Sequence, residues 1–231
     1  MQLKCSNLTY CYPGANSNVL ENVQCSLSRP GFHSIFGPSG VGKSSFARLI
    51  ADEKRYDYHG ELLFNGLKTI LYSYNQERLP GWSSAGAHLD KVVAAEKKQL
   101  KQELIDTFNL TSLLGSRFHQ LSMGQQNRMN LIRYLLQDFD LLILDESLAN
   151  VDEKMRQTII LTIKRIFPEK MFLYISHNLM EVSTFCDEVI VFGGGAKGKR
   201  YIKIPGQNCC SAESIDRQLV DKNMLEIMNA F

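Results

Sequence analysis

His33-Ser34-Ile35-Phe36-Gly37-Pro38-Ser39-Gly40-Val41-Gly42-Lys43-Ser44 is the stretch that decides the fold of this 231-residue chain. Its second part fits G-x-x-x-x-G-K-[ST]. An apolar strand leads into it, and residues 44–52 read as a helix with Phe46, Leu49 and Ile50 on one face. Glycines at these positions let backbone N–H groups curl around phosphate oxygens with no side chain in the way. The helix that follows adds its positive N-terminal end. Lys43 supplies a point charge for the β- and γ-phosphates, and the Ser44 hydroxyl is a ligand for Mg²⁺. The loop predicts nucleotide binding. It does not separate a kinase, a GTPase and an ATPase.

About 100 positions downstream, Leu141-Leu142-Ile143-Leu144-Asp145-Glu146 sets two carboxylates at the end of a continuous apolar run. Such a run reads as a strand buried on both faces. In open α/β sheets, ligands bind outside the carboxyl ends of the strands, which brings Asp145 beside the phosphate loop. A hard Mg²⁺ ion takes oxygen ligands and keeps waters, so Asp145 is its natural partner, directly or through water. Glu146 is then placed to orient or deprotonate an attacking water.

Outward from these two motifs the chain alternates strand-like and helix-like pieces, which predicts a mainly parallel α/β sheet with flanking helices. Residues 1–36 read as short strands and turns, an antiparallel β-subdomain at the N-terminus. Residues 60–74 alternate again, and Asn65-Gly66 within them is a hairpin signal. From Ala85 to about Asn109, Leu89, Val92, Val93, Leu100 and Leu104 sit among many Lys and Glu, which predicts a helical segment; residues 109–120 read as loop. Helices are expected over 124–136, 153–167 and 179–184, and strands over 171–176 and 188–192. Gly193 to Gly198 reads as a hairpin tip. Past Ser211, Ile215, Leu219, Leu225 and Met228 suggest a docked amphipathic helix. The division expected is one domain: residues 1–77 and 138–205 as core plus β-subdomain, 78–137 as an inserted helical subdomain, and 206–231 as a helical tail.

Composition narrows the function classes. Hydrophobic residues at 44% and charged residues at 22% exclude a mainly disordered chain. Lys plus Arg is 26 and Asp plus Glu is 24, a net charge of +2 that argues against an electrostatically bound nucleic-acid partner. The six cysteines form no Cys-x-x-Cys pair and read as free thiols in a reducing compartment. No apolar run approaches the ~18 residues of a membrane helix, and the start lacks the plan of a signal peptide. The sequence therefore predicts a protein soluble by itself, with any membrane role carried through a partner.

With these residues in hand, the chain from about Leu3 to Ile204 resembles the ATP-binding subunit of ABC transporters, a P-loop NTPase. Gly37 to Ser45 resembles the Walker A loop, so that Gly37, Pro38, Ser39, Gly40, Val41, Gly42, Lys43, Ser44 and Ser45 would hold the nucleotide. Tyr12 is similar to the aromatic that stacks on adenine, and Gln76 to the Q-loop glutamine, a ligand of the metal and of the attacking water. Leu121-Ser122-Met123-Gly124-Gln125, with Arg128 after it, resembles the family signature. Leu141 to Glu146 resembles Walker B, Ala149-Asn150-Val151-Asp152 the D-loop, and His177 the switch histidine. The resemblance implies two subunits facing head to tail, a second copy or a homologous chain. Ser122, Gly124, Gln125 and Asp152 of one then complete the MgATP site of the other. It also implies an integral membrane permease as partner, at the cytoplasmic face of the membrane.

The pattern departs from the family at Met123, Ser147 and Val151, where the family often has Gly, Pro and Leu. The stretch from Lys43 to Gln76 is short for the family, which predicts a trimmed hairpin. Gln76-Glu77-Arg78-Leu79-Pro80-Gly81-Trp82 is similar to the segment in importers of nitrate, sulfonates and similar small anions. Two other functions stay open at this point: a nucleotide-sensing or dimerisation module with little turnover, suggested by Met123, and a soluble ABC-type ATPase outside transport.

Overall fold

The computed structural model describes residues 1–75, 77–78, 81–195 and 198–230. Two sheets share the chain. Strands β1 (Gln2–Tyr10), β2 (Leu20–Leu27) and β4 (His59–Asn65) form an antiparallel sheet in the order β2-β1-β4. The larger sheet has the order β5-β6-β7-β3-β8-β9, from β5 (Ile70–Tyr74), β6 (Leu141–Asp145), β7 (Met171–Ile175), β3 (Gly31–Phe36), β8 (Glu188–Gly195) and β9 (Gly198–Pro205). Its first five strands are parallel, and β9 closes the edge antiparallel to β8.

The central strands are apolar throughout because both their faces are covered. Leu141 and Ile143 of β6 join Ile35, Leu173 and Phe192 in one core, beneath β1, β2 and the helix α1 (Lys43–Ala51). Leu142 and Leu144 point the other way, into a core with Phe172, Tyr174 and the helices that lie between β5 and β6 in the sequence. Those helices are α2 (Ala85–Val92), α3 (Lys98–Thr107) and α4 (Met123–Leu135). On the same side run α5 (Glu153–Ile166) and α6 (Leu179–Phe185), with α7 (Arg217–Met228) packed on α6 and β9.

Three expectations are corrected. Asn65-Gly66 makes no hairpin, trimmed or otherwise: β4 pairs with β1 in one sheet and β5 with β6 in the other. Asp140 redirects the chain here. Its Oδ2 accepts from the backbone N–H groups of Lys68 and Thr69 (2.7 and 3.0 Å), and its own N–H donates to Thr69 O (2.8 Å). The long helical segment after Ala85 is two helices, broken after the β-branched pair Val92-Val93 by a short 3₁₀ turn at Ala95–Lys97. The tail helix docks by Val220, Asn223 and Ile227, at helical spacing, while Leu225 is 61% exposed. The hairpin expected at Gly193 to Gly198 joins β8 to β9, with Gly193–Gly195 paired as the end of β8 and Gly195 opposite Gly198; residues 196–197 lie outside the described residues. All six cysteines are free. Among the described residues no helix is long and apolar enough to cross a membrane.

Candidate functional site

Three parallel strands end side by side at the phosphate loop. β3 runs straight into it, β6 ends in Asp145, and β7 leads to His177. Gly37 leaves β3 with φ +154°, and a Cβ there would lie 2.3 Å from the Phe192 carbonyl oxygen, so only glycine lets the loop pass β8 this closely. Lys43 is 6% exposed and folds back over the loop, its Nζ donating to the Gly37 and Pro38 carbonyls at 2.8 Å each. An ammonium carries three N–H donors, so one remains for a phosphate oxygen. Burial lowers the Lys43 pKa, and the nearby Glu146 and Asp145 carboxylates oppose that shift.

Ser44 Oγ lies 3.1 Å from Asp145 Oδ1. The second oxygen, Oδ2, accepts from Tyr72 Oη at 2.6 Å. Burial, reinforced by this hydrogen bond, pushes the Tyr72 phenol far above its ordinary value. No group of three or more His, Cys, Asp and Glu side chains among the described residues could hold a metal. The donor set of one hydroxyl and one buried carboxylate still fits Mg²⁺, which keeps waters and completes its shell with substrate phosphates.

Glu146 follows in the left-handed region, at φ +52°, with its N–H held by the Ile175 carbonyl at 3.1 Å. Non-glycine residues pay a strain cost of about 1 kcal/mol or more there, and such outliers cluster at functional sites. Its Oε1 meets His177 Nε2 at 2.7 Å. Tyr12 reaches the loop from the β-subdomain. Its hydroxyl lies 2.9 Å from Ser45 Oγ, its ring stands edge-on to Tyr10, and it is 39% exposed.

Ser122, Gly124, Gln125 and Asp152 gather elsewhere. Ser122 caps α4: its Oγ accepts from Gln125 N–H (3.3 Å), while Gln125 Oε1 accepts from Ser122 N–H (2.8 Å). A Cβ on Gly124 would sit 2.3 Å from the Asn150 carbonyl oxygen. Asp152 caps α5 through Met155 N–H at 2.9 Å. Among the described residues no hydrogen bond joins this tip to the Gly37–Ser45 loop. Gln76 lies outside the described residues.

The sequence reading missed what flanks position 76. Asn75 Oδ1 accepts from Asn127 of α4 (3.1 Å) and from Asn150 (3.2 Å). The Glu77 carbonyl accepts from Asn130 (2.8 Å), and its carboxylate pairs with Arg133 and with Tyr134 Oη (2.8 Å). Asn127, Asn130, Arg133 and Tyr134 form one stripe of α4; the signal was there in their helical spacing, but only contact shows what they face. Ser147 is buried, its hydroxyl donating to the Ser73 carbonyl at 2.9 Å, and Met123 is exposed.

The ABC transporter family model matches residues 20–149. The molybdenum import ATP-binding protein ModC of Saccharophagus degradans is 30% identical over 200 residues, 78% of this chain and 55% of that protein. The spermidine/putrescine import ATP-binding protein PotA of Hahella chejuensis is 29% identical over 197 residues, 77% and 53% respectively. The chain thus spans little more than half the length of these relatives. Among solved structures, MJ1267, an ATP-binding cassette of an ABC transporter, superposes with a TM-score of 0.73 at 18% identity, over 98% of both chains. The dimeric post-hydrolysis cassette MJ0796, bound to ADP and phosphate, gives 0.68 at 23% identity over 82% of this chain and 93% of that one.

Proposed function

The chain belongs to the ABC transporter family, and from that premise we propose that it is an ATP-binding subunit that hydrolyses MgATP to drive a separate membrane permease. One observation supports this most: Lys43, Ser44, Asp145, Glu146 and His177, from three separate motifs, converge at the ends of adjacent parallel strands, with Ser44 Oγ 3.1 Å from Asp145 and His177 2.7 Å from Glu146.

The residues divide the work. The loop from Gly37 to Ser45 wraps the phosphates, with the free Lys43 N–H on the β- and γ-oxygens. Tyr12 offers its exposed ring to the adenine. Ser44, Asp145 and Gln76 would hold the metal, which when bound would neutralise charge on the phosphates. A carboxylate only accepts, so His177 carries its proton on Nε2 toward Glu146 Oε1. Glu146 Oε2 is left to take a proton from the water that attacks the γ-phosphorus. The new P–O bond forms as the bond to the β-phosphate oxygen breaks, releasing ADP and phosphate.

The tip of α4, where the Ser122–Gln125 cap already takes two N–H groups, is a helix N-terminus and so an anion site that a second copy or a homologous subunit would present with its own triphosphate. Ser122, Gly124 and Gln125, with Asp152 behind them, act there. The site then works at the cytoplasmic face of the membrane, held there by the permease. The residues from Gln76 to Trp82 favour a small-anion cargo of the nitrate or sulfonate kind, chosen by that permease.

Glu146→Gln tests the chemistry. A positioned base contributes about 10²–10⁴ in rate. Steady-state ATP hydrolysis is expected to fall by that factor while MgATP still binds. Unchanged turnover would sink the mechanism, and turnover absent from the unmutated chain would favour a nucleotide-sensing module instead.

A further inference from the structure

Tyr72 belongs to none of the motifs above. It lies on β5 with its ring stacked on Tyr74, centroids 5.8 Å apart. Two groups meet its hydroxyl: Asp145 Oδ2 at 2.6 Å and Arg48 Nε at 3.4 Å. A guanidinium only donates, a carboxylate only accepts, and a phenol has one proton. The Tyr72 proton therefore goes to Asp145, with Arg48 behind the oxygen. Arg48 sits one turn after Ser44 on α1, so the same helix that sets Ser44 against Oδ1 at 3.1 Å also backs the phenol that holds Oδ2.

We propose that Tyr72 is a positioning residue for the metal of the phosphate site. Its hydroxyl clamps Oδ2 so that Oδ1 and Ser44 Oγ face the ion together. This rests on reading the site as an MgATP site. Two effects compete. The hydrogen bond draws charge from the carboxylate and weakens it as a ligand. It also removes the freedom of the carboxylate to turn, and without it Oδ2 would seek the nearest donor and carry Oδ1 away from Ser44. The second effect wins, because partners that orient a ligating side chain are worth about 10–100-fold in metal affinity when removed.

The test is Y72F on the full chain, which keeps the ring and its stacking. ATP affinity is measured by calorimetry in EDTA and across a Mg²⁺ titration, with Mn²⁺ binding in the presence of ATP followed by electron paramagnetic resonance. Affinity without metal is expected to stay within about twofold. The Mg²⁺ concentration for half-maximal tightening is expected to rise about 10-fold or more, with Mn²⁺ affinity falling in parallel. R48M, at an exposed position, is expected to show the same split at about twofold or more, and it keeps the test open should Y72F fail to fold. Unchanged or tighter metal dependence in the folded variants overturns the role of Tyr72 alone. An unmutated chain that binds ATP equally well with and without metal overturns the MgATP reading and this inference with it.

Discussion

Gly124 sits in the first turn of α4 with its Cα hydrogen aimed at the turn before α5. An alanine Cβ would fall 2.3 Å from the Asn150 carbonyl oxygen, and real Cβ contacts essentially never close below 3.0 Å. Either α4 or the 149–152 turn must therefore give way by the better part of an ångström. The turn is poorly free to do so, because the Asn150 amide is tied to Asn75, which is tied in turn to Asn127 on α4 itself. Overpacking of this kind costs about 1–3 kcal/mol. Alanine also returns up to about 1 kcal/mol of helix propensity, less in a first turn that Ser122 already caps. The net expectation for Gly124→Ala is a loss of about 0.5–2.5 kcal/mol, or roughly 2–8 °C in Tm for a domain of this size. Differential scanning calorimetry reads it, with Gly115→Ala as the control, since no atom lies within 4 Å of a Cβ there. The control is expected to be neutral or slightly stabilising. ATP binding to the isolated chain is expected to persist in both. A Gly124→Ala Tm at or above that of the unmutated chain would refute the claim that this glycine is required by packing within its own subunit.

Glu77→Ala strips Arg133 and Tyr134 of their shared acceptor while both remain largely covered. The expected loss is about 2–3 kcal/mol, seen as a drop of roughly 4–10 °C in Tm; a shift under 2 °C would show that the α4 stripe does not lean on this carboxylate. Stability is also expected to fall in acid through His33. This imidazole is fully buried, and burial lowers its pKa, outweighing the hydrogen bond to the Arg29 carbonyl and the Asp187 and Glu188 charges, which raise it. Below the ordinary value of about 6.5 the unfolded chain binds a proton the folded one resists, so folding weakens as pH falls, by at most about 1.4 kcal/mol per pH unit for one proton. Urea unfolding from pH 7.5 to 5.5 measures the slope, and a His33→Gln variant with the same slope would assign it elsewhere.

The strands and the phosphate loop were legible because their signals are local. Leu141 to Leu144 is apolar at every position, as a strand covered on both faces requires, and Gly37, Gly42 and Lys43 fall within one short pattern. Where the reading failed, the deciding atom lay far away in sequence. Asn65-Gly66 does turn the chain, but whether the next strand returns to β4 is settled by Asp140, which captures Lys68 and Thr69 and hands β5 to β6. In the tail, the apolar positions predict a docked face that includes Leu225, yet Asn223 is 3% exposed while Leu225 faces outward. Residue type predicts burial only on average, and the helix follows the stripe that fits α6 and β9. Tyr72 shows the same limit at the site itself. As a strand tyrosine it announces nothing, and its part emerges only from two oxygens of one carboxylate facing opposite donors. Motifs thus mark candidate atoms by spacing, whereas a neighbour such as Tyr72 is set beside them by three-dimensional contact and carries no spacing of its own.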